Sequence, residues 1–317
     1  MPTAAPSGVL VVGSITVDVT AFARRLPSPG ETVLGDDLTL VLGGKGANQA
    51  VAASLAGADV QMAGAVGDDV FADLALDALR GHGVDVDLVR RASGPTGIAH
   101  VRVDERGEND IVMVPLANAT VGEGDVDAAV RAAAGRARVL LLQLETPLDV
   151  ARHAARAGRE AGLLVVLDPA PAVADLDPAT WSDVDVVTPN ESEARLITGL
   201  PVRDLDGALE AGRWFVARGA GCAVVTLGGA GAVVVTADDA VAVPAHEVEV
   251  LDTTAAGDAF AGYLGAGLAR GLDVAAAVPR AMAAGALAVT RRGASASLPA
   301  GADVDALLAA VPDDRTT

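Results

Sequence analysis

The sequence predicts an α/β fold in which a mostly parallel sheet is covered by helices on both faces. From residue 125 onward, short apolar runs alternate with segments of helical character. Strands that are both short and continuously apolar are typical of a parallel sheet buried on its two sides. The runs occupy residues 139–144, 163–167, 184–187, 223–227 and 232–236. Two helices, expected at about residues 256–270 and 274–290, close the core.

The N-terminal part of the chain contributes further strands and helices. Residues 8–19 read as one buried strand and residues 60–66 as another. Residues 43–46 are expected to lead into a helix that runs to about residue 56, and a second helix is expected at about residues 69–80. At the other end of the chain, the polar tail at residues 312–317 is expected to fray.

Some β-prone pieces do not follow the strand–helix alternation. Residues 97–103 and 111–114 alternate apolar and polar side chains around a turn-forming centre, which is the pattern of a β-hairpin. We place segments 16–42 and 96–115 in a small separate sheet that forms a lid. With no long linker or internal repeat in view, we predict one domain over residues 1–317.

The composition excludes several partners. The chain carries 42 acidic against 23 basic residues, a net charge of −19, so its surface repels nucleic acid and anionic membrane. It can still hold an anionic nucleotide locally, through backbone amides and a metal ion. The single cysteine, Cys222, lies in an apolar run and is expected in the core. The chain shows neither a signal peptide nor a run of ~18 apolar residues, so we expect a cytoplasmic protein.

Residues 252–258, Asp-Thr-Thr-Ala-Ala-Gly-Asp, carry the strongest indication of chemistry. They follow a strand-like segment at 248–251 and precede an apolar helix. Small residues at a helix start leave backbone N–H groups able to bind an anion, and the helix dipole adds to their effect. A carboxylate beside such a cradle, here Asp258, can take a proton from a hydroxyl while the cradle holds phosphoryl charge. Taken alone, Thr254 and Asp258 would be read as helix caps.

Residues 43–49, Gly-Gly-Lys-Gly-Ala-Asn-Gln, are a second candidate. They lack the glycine spacing of a phosphate-binding P-loop, and Lys45 is not followed by Ser or Thr. The glycines allow the backbone to approach a ligand, and Lys45 and Asn48 offer donors that suit a polyhydroxyl compound. By itself, a Gly-Gly pair is more often only a turn.

Two more loops are candidates for a nucleotide and its metal ion. Residues 226–231, Thr-Leu-Gly-Gly-Ala-Gly, are either a flexible hairpin or a loop that cradles a nucleotide. Residues 188–193, Thr-Pro-Asn-Glu-Ser-Glu, lie at a strand-to-helix junction. There Asn190 and Glu193 offer oxygens that can organise Mg²⁺ through water, or they simply cap the helix.

Other polar residues follow strands or the last long helix. Glu145 and Asp168 come at strand ends, where α/β sheets bind ligands. Arg291 and Arg292 follow the helix and could simply neutralise its negative end. The four histidines lie apart and show no metal-ligand spacing.

Together these motifs resemble the ribokinase/phosphofructokinase-B family of carbohydrate kinases over about residues 11–299. Residues 43–50 match the family's N-terminal signature, and residues 252–260 match its C-terminal one. The resemblance implies a ribokinase-like three-layer sandwich with a mostly parallel central sheet and a small β-sheet lid. It also implies transfer of a phosphoryl group from ATP, with Mg²⁺, to a sugar, expected to be D-ribose at O5. A monovalent cation, usually K⁺, and a homodimer formed through the lid are implied as well.

The resemblance assigns roles to individual residues. Asp258 would be the general base, with an anion hole formed by the amides of Ala255, Ala256, Gly257 and Asp258. The sugar would be bound by Thr16, Asp18, Gly44, Lys45, Gly46, Ala47, Asn48, Glu145 and Asp258. ATP would be bound by Asn190, Thr226, Leu227, Gly228, Gly229, Ala230, Gly231, Gly257, Asp258 and Met282. The ligands of the monovalent cation would be Asp252, Thr254, Ala288, Arg291, Gly293 and Ser297, and Glu193 would serve Mg²⁺ through water.

Three positions depart from the family pattern. Thr16 stands where an asparagine usually touches the sugar, Asp168 stands where asparagine is common, and Met282 stands where histidine or asparagine is frequent. Because of Thr16, the alternatives for the acceptor are deoxyribose, another sugar or a nucleoside. A non-catalytic sugar-binding protein would be expected to have lost the base or the anion hole, whereas Asp258 and Gly257 are both present. A purely structural α/β protein would leave the coincidence of these loop motifs unexplained.

Overall fold

The computed structural model describes residues 5–310 and contains two β-sheets with helices around them. The tail predicted to fray, residues 312–317, lies outside the described residues. In chain order, the strands are β1 (Gly8–Val12), β2 (Thr16–Phe22), β3 (Asp37–Gly43), β4 (Val60–Val66), β5 (Asp85–Arg91), β6 (Gly97–Val103), β7 (Asn109–Val114), β8 (Ala137–Leu142), β9 (Leu164–Leu167), β10 (Val186–Val187), β11 (Cys222–Thr226), β12 (Ala232–Val235) and β13 (Ala240–Val243). The helices are α1 (Lys45–Leu55), α2 (Val70–Gly81), α3 (Glu123–Ala133), α4 (Leu148–Glu160), α5 (Glu191–Thr198), α6 (Leu205–Val216), α7 (Ala256–Ala269), α8 (Val274–Ala288) and α9 (Gly301–Ala310).

The larger sheet has nine strands within the described residues, in the order β13-β12-β11-β10-β9-β8-β1-β4-β5. From β11 to β5 every neighbouring pair is parallel, and β12 and β13 extend one edge antiparallel. The chain leaves β1 toward β4 on one side and later returns through β8 on the other. This reversal of strand order is the place where open α/β sheets form a ligand crevice.

Helices cover both faces of the larger sheet because side chains along its strands alternate between two cores. Val9 and Val11 of β1 belong to the core packed against α1, α2, α7, α8 and α9, whereas Leu10 and Val12 belong to the core of α3 to α6. All four side chains are at most 2% exposed. The result is the three-layer sandwich that the sequence predicted.

Cys222 lies in β11 and is buried, as predicted for a core residue. Burial raises the pKa of its thiol to about 11, so the reactive thiolate is scarce at neutral pH.

Among the helices of residues 5–310, none has the length and apolar character required to cross a bilayer.

A separate sheet of four strands, in the order β3-β2-β6-β7, contacts helices α1 and α2. β2 pairs antiparallel with β3 and parallel with β6, and β6 and β7 form an antiparallel hairpin. The hairpin inferred from the alternating pattern is therefore confirmed, and the strands match segments 16–42 and 96–115 except that β3 ends one residue later, at Gly43. The role of this small sheet as a lid and the assignment of residues 1–317 to one domain stay predictions.

The prediction of a single strand over residues 8–19 is wrong. β1 lies in the larger sheet, and β2 belongs to the smaller one. Ile15 and Val17 are both 0% exposed and belong to the same core as Val9 and Val11 of β1. The apolar pattern therefore does not break where the chain passes from one sheet to the other. The chain turns at Gly13, where a Cβ would collide with the side chain of Gln143.

Other elements differ from the sequence prediction as well. Residues 248–251, predicted as a strand, are irregular, and Val250 and Leu251 are 59% and 56% exposed. The edge strands β5 and β13 also escaped prediction, because charged side chains interrupt the apolar character of β5 and because β13 is a run of only four apolar residues, Ala240–Val243. The terminal helix α9 also went unpredicted.

Helices α1 and α7 approach each other closely at Gly262. A Cβ at this position would lie 2.6 Å from the carbonyl oxygen of Gln49 and 2.8 Å from the backbone nitrogen of Ala53. Both atoms belong to the backbone of α1, so neither can move aside as the end of a flexible side chain would. Glycine at position 262 therefore sets the separation of the two helices.

We expect Gly262→Ala to lower the free energy of unfolding by about 1–3 kcal/mol, because the added methyl group overpacks this contact. Gly124→Ala is the matched control, since Gly124 is also helical and a Cβ there would meet no atom within 4 Å. The control should leave the free energy of unfolding unchanged or raise it by up to about 1 kcal/mol. Urea denaturation measures both variants, and equal stability would contradict the close approach of α1 and α7.

Candidate active site

A pocket of about 600 Å³ opens at the carboxyl ends of the parallel strands. Asp168 follows β9, Thr188 follows β10 and Thr226 ends β11, and all three line the pocket together with the start of α7. Parallel strands place the loops that follow them at one edge of the sheet. Residues far apart in the sequence therefore converge on this pocket.

Helix α1 begins against the chain that follows β1. Gly44 precedes the helix with a φ of 87°, and a Cβ there would lie 2.9 Å from the first backbone nitrogen of β2. The first N–H groups of α1 are satisfied from outside the helix: Lys45 N donates to Glu145 Oε2 at 2.9 Å, and Gly46 N donates to Ser14 Oγ at 3.3 Å. The glycine at position 44 thus accommodates the protein's own chain, a role that the sequence could not distinguish from ligand binding.

Helix α7 follows a strained residue. Ala255 has a φ of 59°, a left-handed conformation that costs an L-residue of this kind about 1–2 kcal/mol. Ala256, Gly257 and Asp258 form the first turn, where N–H groups have no partner within the helix. A Cβ on Gly257 would meet no atom within 4 Å, and the residue lines the pocket. The helix start therefore presents backbone amides and the positive end of its dipole to the pocket.

Asp258 is 4% exposed, and two amide side chains of α1 hold its carboxylate. Asn48 Nδ2 donates to Oδ2 at 2.9 Å, and Gln49 Nε2 donates to Oδ1 at 3.2 Å. Lys45 Nζ lies 3.9 Å from the same Oδ1 and 3.8 Å from Asp168 Oδ2. The carboxylate is thus anchored through both of its oxygens beside the amides of α7.

Lys45 is the cation that several acids share. Burial would lower the pKa of Lys45, but the carboxylates of Asp168 and Asp258 outweigh this effect and raise it, so the ammonium stays charged. Burial raises the pKa of Asp168; Lys45 opposes the shift, and Glu193 and Asp258 add to it. Burial also raises the pKa of Glu193. The acids at this edge of the sheet are therefore held together mainly by one ammonium group.

The polar side chains predicted to bind the sugar gather close to Asp258. Thr16 is 1% exposed, and its Oγ1 donates to Asp18 Oδ1 at 3.1 Å. Ser14 Oγ donates to the carboxylate of Glu145. Burial raises the pKa of Asp18 to about 6, against the hydrogen bond from Thr16 and with repulsion from Glu145 and Asp258. This cluster lies beside the 600 Å³ pocket rather than in its lining.

The loops at 188–193 and 226–231 are tied together at the pocket. Thr226 N donates to the carbonyl of Pro189 at 3.0 Å, and Asn190 and Thr226 form a parallel bridge. The side chain of Asn190 caps α5, while Glu193 Oε2 accepts from Asn190 N at 2.8 Å. The capping alternative is therefore realised, and Asn190, Glu193 and Thr226 line the pocket as well.

Asp252 joins the loop before α7 to the loop after α8. Its Oδ1 accepts from Thr254 N at 2.9 Å and its Oδ2 from Gly293 N at 2.9 Å. Burial acts in the other direction, but the hydrogen bonds from Gly293 and Thr254 lower the pKa of Asp252. The other cation ligands implied by the resemblance lie nearby in the chain, at Ala288, Arg291 and Ser297. Across residues 5–310, His, Cys, Asp and Glu form no cluster of three or more that could hold a metal ion.

Many of the residues predicted from the sequence line one pocket. They are Lys45, Asn190, Glu193, Thr226, Gly228, Gly229, Gly231, Ala255, Ala256, Gly257, Asp258 and Met282. Others lie outside its lining: Thr16, Asp18, Gly44, Gly46, Ala47, Asn48, Glu145, Leu227 and Ala230. Ala47, Asn48 and Leu227 are at most 4% exposed, so their side chains face the interior.

Part of the pocket wall was missed by the sequence reasoning. His246, Val248 and Val250, from the irregular segment after β13, line the pocket, as do Phe260 of α7 and Val289 after α8. The valines gave a signal, but it was interpreted as a strand. Valines on a segment without a sheet partner are instead available to cover an apolar ligand surface.

Comparisons with known proteins show which family the chain resembles. A family model described as pfkB family carbohydrate kinase matches residues 7–301. A deoxyribokinase from Salmonella typhi is 36% identical over 292 residues, 92% of this chain and 95% of that protein. A ribokinase from Haemophilus influenzae is 36% identical over 290 residues, 91% of this chain and 94% of that protein.

Among solved structures, the ribokinase from Arabidopsis thaliana complexed with ribose and ATP superposes with a TM-score of 0.86 at 30% identity. The match covers 96% of this chain and 99% of that one. The resemblance and the fold class predicted from the sequence are thereby confirmed. The chain belongs to the pfkB family of carbohydrate kinases.

Proposed function

We propose that this ATP-dependent carbohydrate kinase phosphorylates D-ribose at O5, giving ribose 5-phosphate and ADP. The observation that carries the proposal is the doubly anchored carboxylate of Asp258 at the start of α7. Asp258 lines the pocket together with the predicted nucleotide loops, and Asp18 lies close enough to Asp258 and Glu145 to feel the charges of both. The Haemophilus influenzae relative is a ribokinase, and the Arabidopsis thaliana ribokinase structure contains ribose and ATP.

In this proposal, Asp258 acts as the general base. Its carboxylate takes the proton of the primary hydroxyl as that oxygen attacks the γ-phosphorus of ATP. The bond from the γ-phosphorus to the β–γ bridging oxygen breaks, and ADP leaves. The amides of residues 255–258 and the positive end of α7 stabilise the negative charge that develops. A helix start that is already in place needs no reorganisation during the reaction.

The nucleotide is expected in the 600 Å³ pocket, beside Asn190 and Met282. Gly229 supports this placement because a Cβ there would meet no atom within 4 Å, so the backbone is open to a ligand. Glu193, an acid on the pocket wall, provides oxygens of the type that hold Mg²⁺ through water. Bound with ATP, Mg²⁺ supplies neutralisation of phosphate charge.

We expect a monovalent cation, K⁺, to bind the oxygen atoms around Asp252. Carboxylate, hydroxyl and carbonyl oxygens are ligands that hard cations prefer. Asp252 contacts both Thr254 and Gly293, so a cation there would stabilise the loop that leads into the anion hole. Turnover measured in K⁺ and in a large organic cation checks this proposal, and equal rates would contradict it.

We also infer a homodimer formed through the small sheet and a cytoplasmic location. The small sheet exposes five large apolar side chains, more than the isolated apolar residues that are normal on a protein surface. These side chains are Leu38, Leu40, Ile111, Val112 and Val114, which are 36–61% exposed. Sedimentation equilibrium would contradict the dimer by returning a monomer mass, and recovery from an extracellular fraction would contradict the location.

D-Ribose is expected to be the preferred acceptor in a coupled ADP-release assay over a panel of sugars and nucleosides. A site that hydrogen-bonds the 2-hydroxyl group loses about 1.4 kcal/mol or more with deoxyribose, so we expect kcat/KM for ribose to be at least about tenfold higher. Deoxyribose is the second candidate, because the Thr16 hydroxyl is engaged with Asp18 and the Salmonella typhi relative is a deoxyribokinase. Equal values of kcat/KM would contradict the preference for ribose, and a higher value for deoxyribose would assign deoxyribose instead.

Asp258→Asn is expected to lower kcat by about 10²- to 10⁴-fold, because the amide cannot accept the hydroxyl proton. Binding of ATP, measured by calorimetry, should persist because the nucleotide loops are unchanged. Asp204→Asn is the control: Asp204 caps α6 through Gly207 N, and asparagine caps a helix equally well. Near-normal kcat in Asp258→Asn would refute the assignment of the base.

The KM for the sugar is expected to rise as the pH falls through about 6. The raised pKa of Asp18 places its protonation there, and the neutral carboxyl loses capacity to accept hydrogen bonds from sugar hydroxyls. Asp18→Asn should have a higher KM at pH 7 and show a much weaker pH dependence between pH 7 and about 5. Steady-state kinetics over this range measures both, and an unchanged pH dependence of KM in the variant would assign the titration to another group.

A further inference from the structure

A chain of buried hydrogen bonds runs from β8 to Asp258 through two glutamine side chains. Gln143 Nε2 donates to Gln49 Oε1 at 2.6 Å. Gln49 Nε2 then donates to Asp168 Oδ2 at 2.8 Å and to Asp258 Oδ1 at 3.2 Å. Gln49 is 0% and Gln143 is 1% exposed. We propose that Gln49 is a positioning residue for Asp258, and that Gln143 acts through Gln49 by fixing the orientation of its amide.

The chemistry of the partners determines which way the Gln49 amide points. An ionised carboxylate only accepts hydrogen bonds, whereas an amide side chain has one donating end and one accepting end. Asp258 must be ionised to act as a base, so Gln49 must turn its NH₂ group toward Asp258, and the same group also reaches Asp168. Its oxygen then faces Gln143, which must donate. An acceptor at position 143 would leave two buried oxygens opposed with no donor between them.

The surrounding backbone is shaped to hold this chain in place. A Cβ on Gly13, directly after β1, would collide with Oε1 of Gln143. The backbone oxygen of Gln49 lies against Gly262 of α7, at a distance that also excludes a Cβ. The two glutamines are thus confined between the end of β1 and the helix that carries Asp258. Glycine at two separate elements makes the space that they occupy.

The consequence for the reaction is geometric. Asn48 holds one oxygen of Asp258 and Gln49 holds the other, so together they fix the plane of the carboxylate. A general base must lie within about 3 Å of the proton it removes, and a displacement of about 1 Å can lower a rate by about 100-fold. The inference rests on the proposed role of Asp258 as the base, and adds the two glutamines that keep it in position.

The test compares kcat and KM for Gln49→Met, Gln143→Met and the double variant, using the sugar with the highest kcat/KM for the wild-type enzyme. We expect each single variant to lower kcat by about ten- to 100-fold with KM for ATP unchanged, since only the base is displaced. The double variant should be no slower than Gln49→Met, because Gln143 acts through Gln49. Gln61→Met is the matched control, since Gln61 is a buried glutamine of β4 outside the pocket lining, and its kcat should equal that of the wild type.

A second variant covers the case in which a methionine substitution prevents folding. Gln143→Asn keeps a buried amide but is one methylene shorter, so its NH₂ group no longer reaches Gln49 Oε1, and it should also lower kcat about ten- to 100-fold. Rate losses that multiply in the double variant would overturn the action of Gln143 through Gln49. Normal kcat in Gln49→Met beside an inactive Asp258→Asn would overturn the positioning role and leave the base intact. An active Asp258→Asn, measured in parallel, would instead overturn the proposed base itself.

Discussion

One ammonium group, that of Lys45, allows the acids of this site to be brought together. Glu145, Asp168 and Asp258 arrive from two strand ends and one helix start, in a chain that already carries a net charge of −19. Buried carboxylates repel one another and lose solvation, so they need a cation or hydrogen-bond donors close by. Lys45 supplies the cation, and the amides next to it on α1 supply the donors. The start of α1 is therefore as necessary to the site as the start of α7.

This electrostatic requirement explains where the glycines are. For Lys45 to reach Asp168 and Asp258, α1 must begin against the end of β1 and must also lie close to α7. Gly44 permits the first approach and Gly262 permits the second, since a Cβ at either position would meet backbone atoms within 3 Å. Close packing of helix and strand is thus a consequence of the charge arrangement, and the strained backbone of Ala255 is held within the same packed region. The close contacts at Gly44 and Gly262 therefore serve both the packing of the fold and the arrangement of the site.

Much of the architecture could be predicted because local patterns of apolar and polar residues indicate the strands and helices. The strand at Val60–Val66 agrees with its predicted bounds, and the hairpin of β6 and β7 follows from its alternation. The break between β1 and β2 could not be predicted, because Ile15 and Val17 are as buried as the residues of β1 itself. The acids and amides of the site could be named from their motifs. The partnership of Gln49 with Gln143 could not, because it joins side chains 94 residues apart through the fold of the sheet.

The short connection between the two sheets has a mechanical consequence. Only residues 13–15 separate β1, an inner strand of the larger sheet, from β2, an inner strand of the smaller one. Ser14, on this connection, is bonded to Glu145, while Thr16 and Asp18 travel with β2. A tilt of the small sheet would therefore carry Thr16 and Asp18, which are predicted to bind the acceptor, and would leave Glu145 and the predicted nucleotide loops at rest. Such a connection would convert a movement of the small sheet directly into a change in the width of the cleft between these two groups of residues.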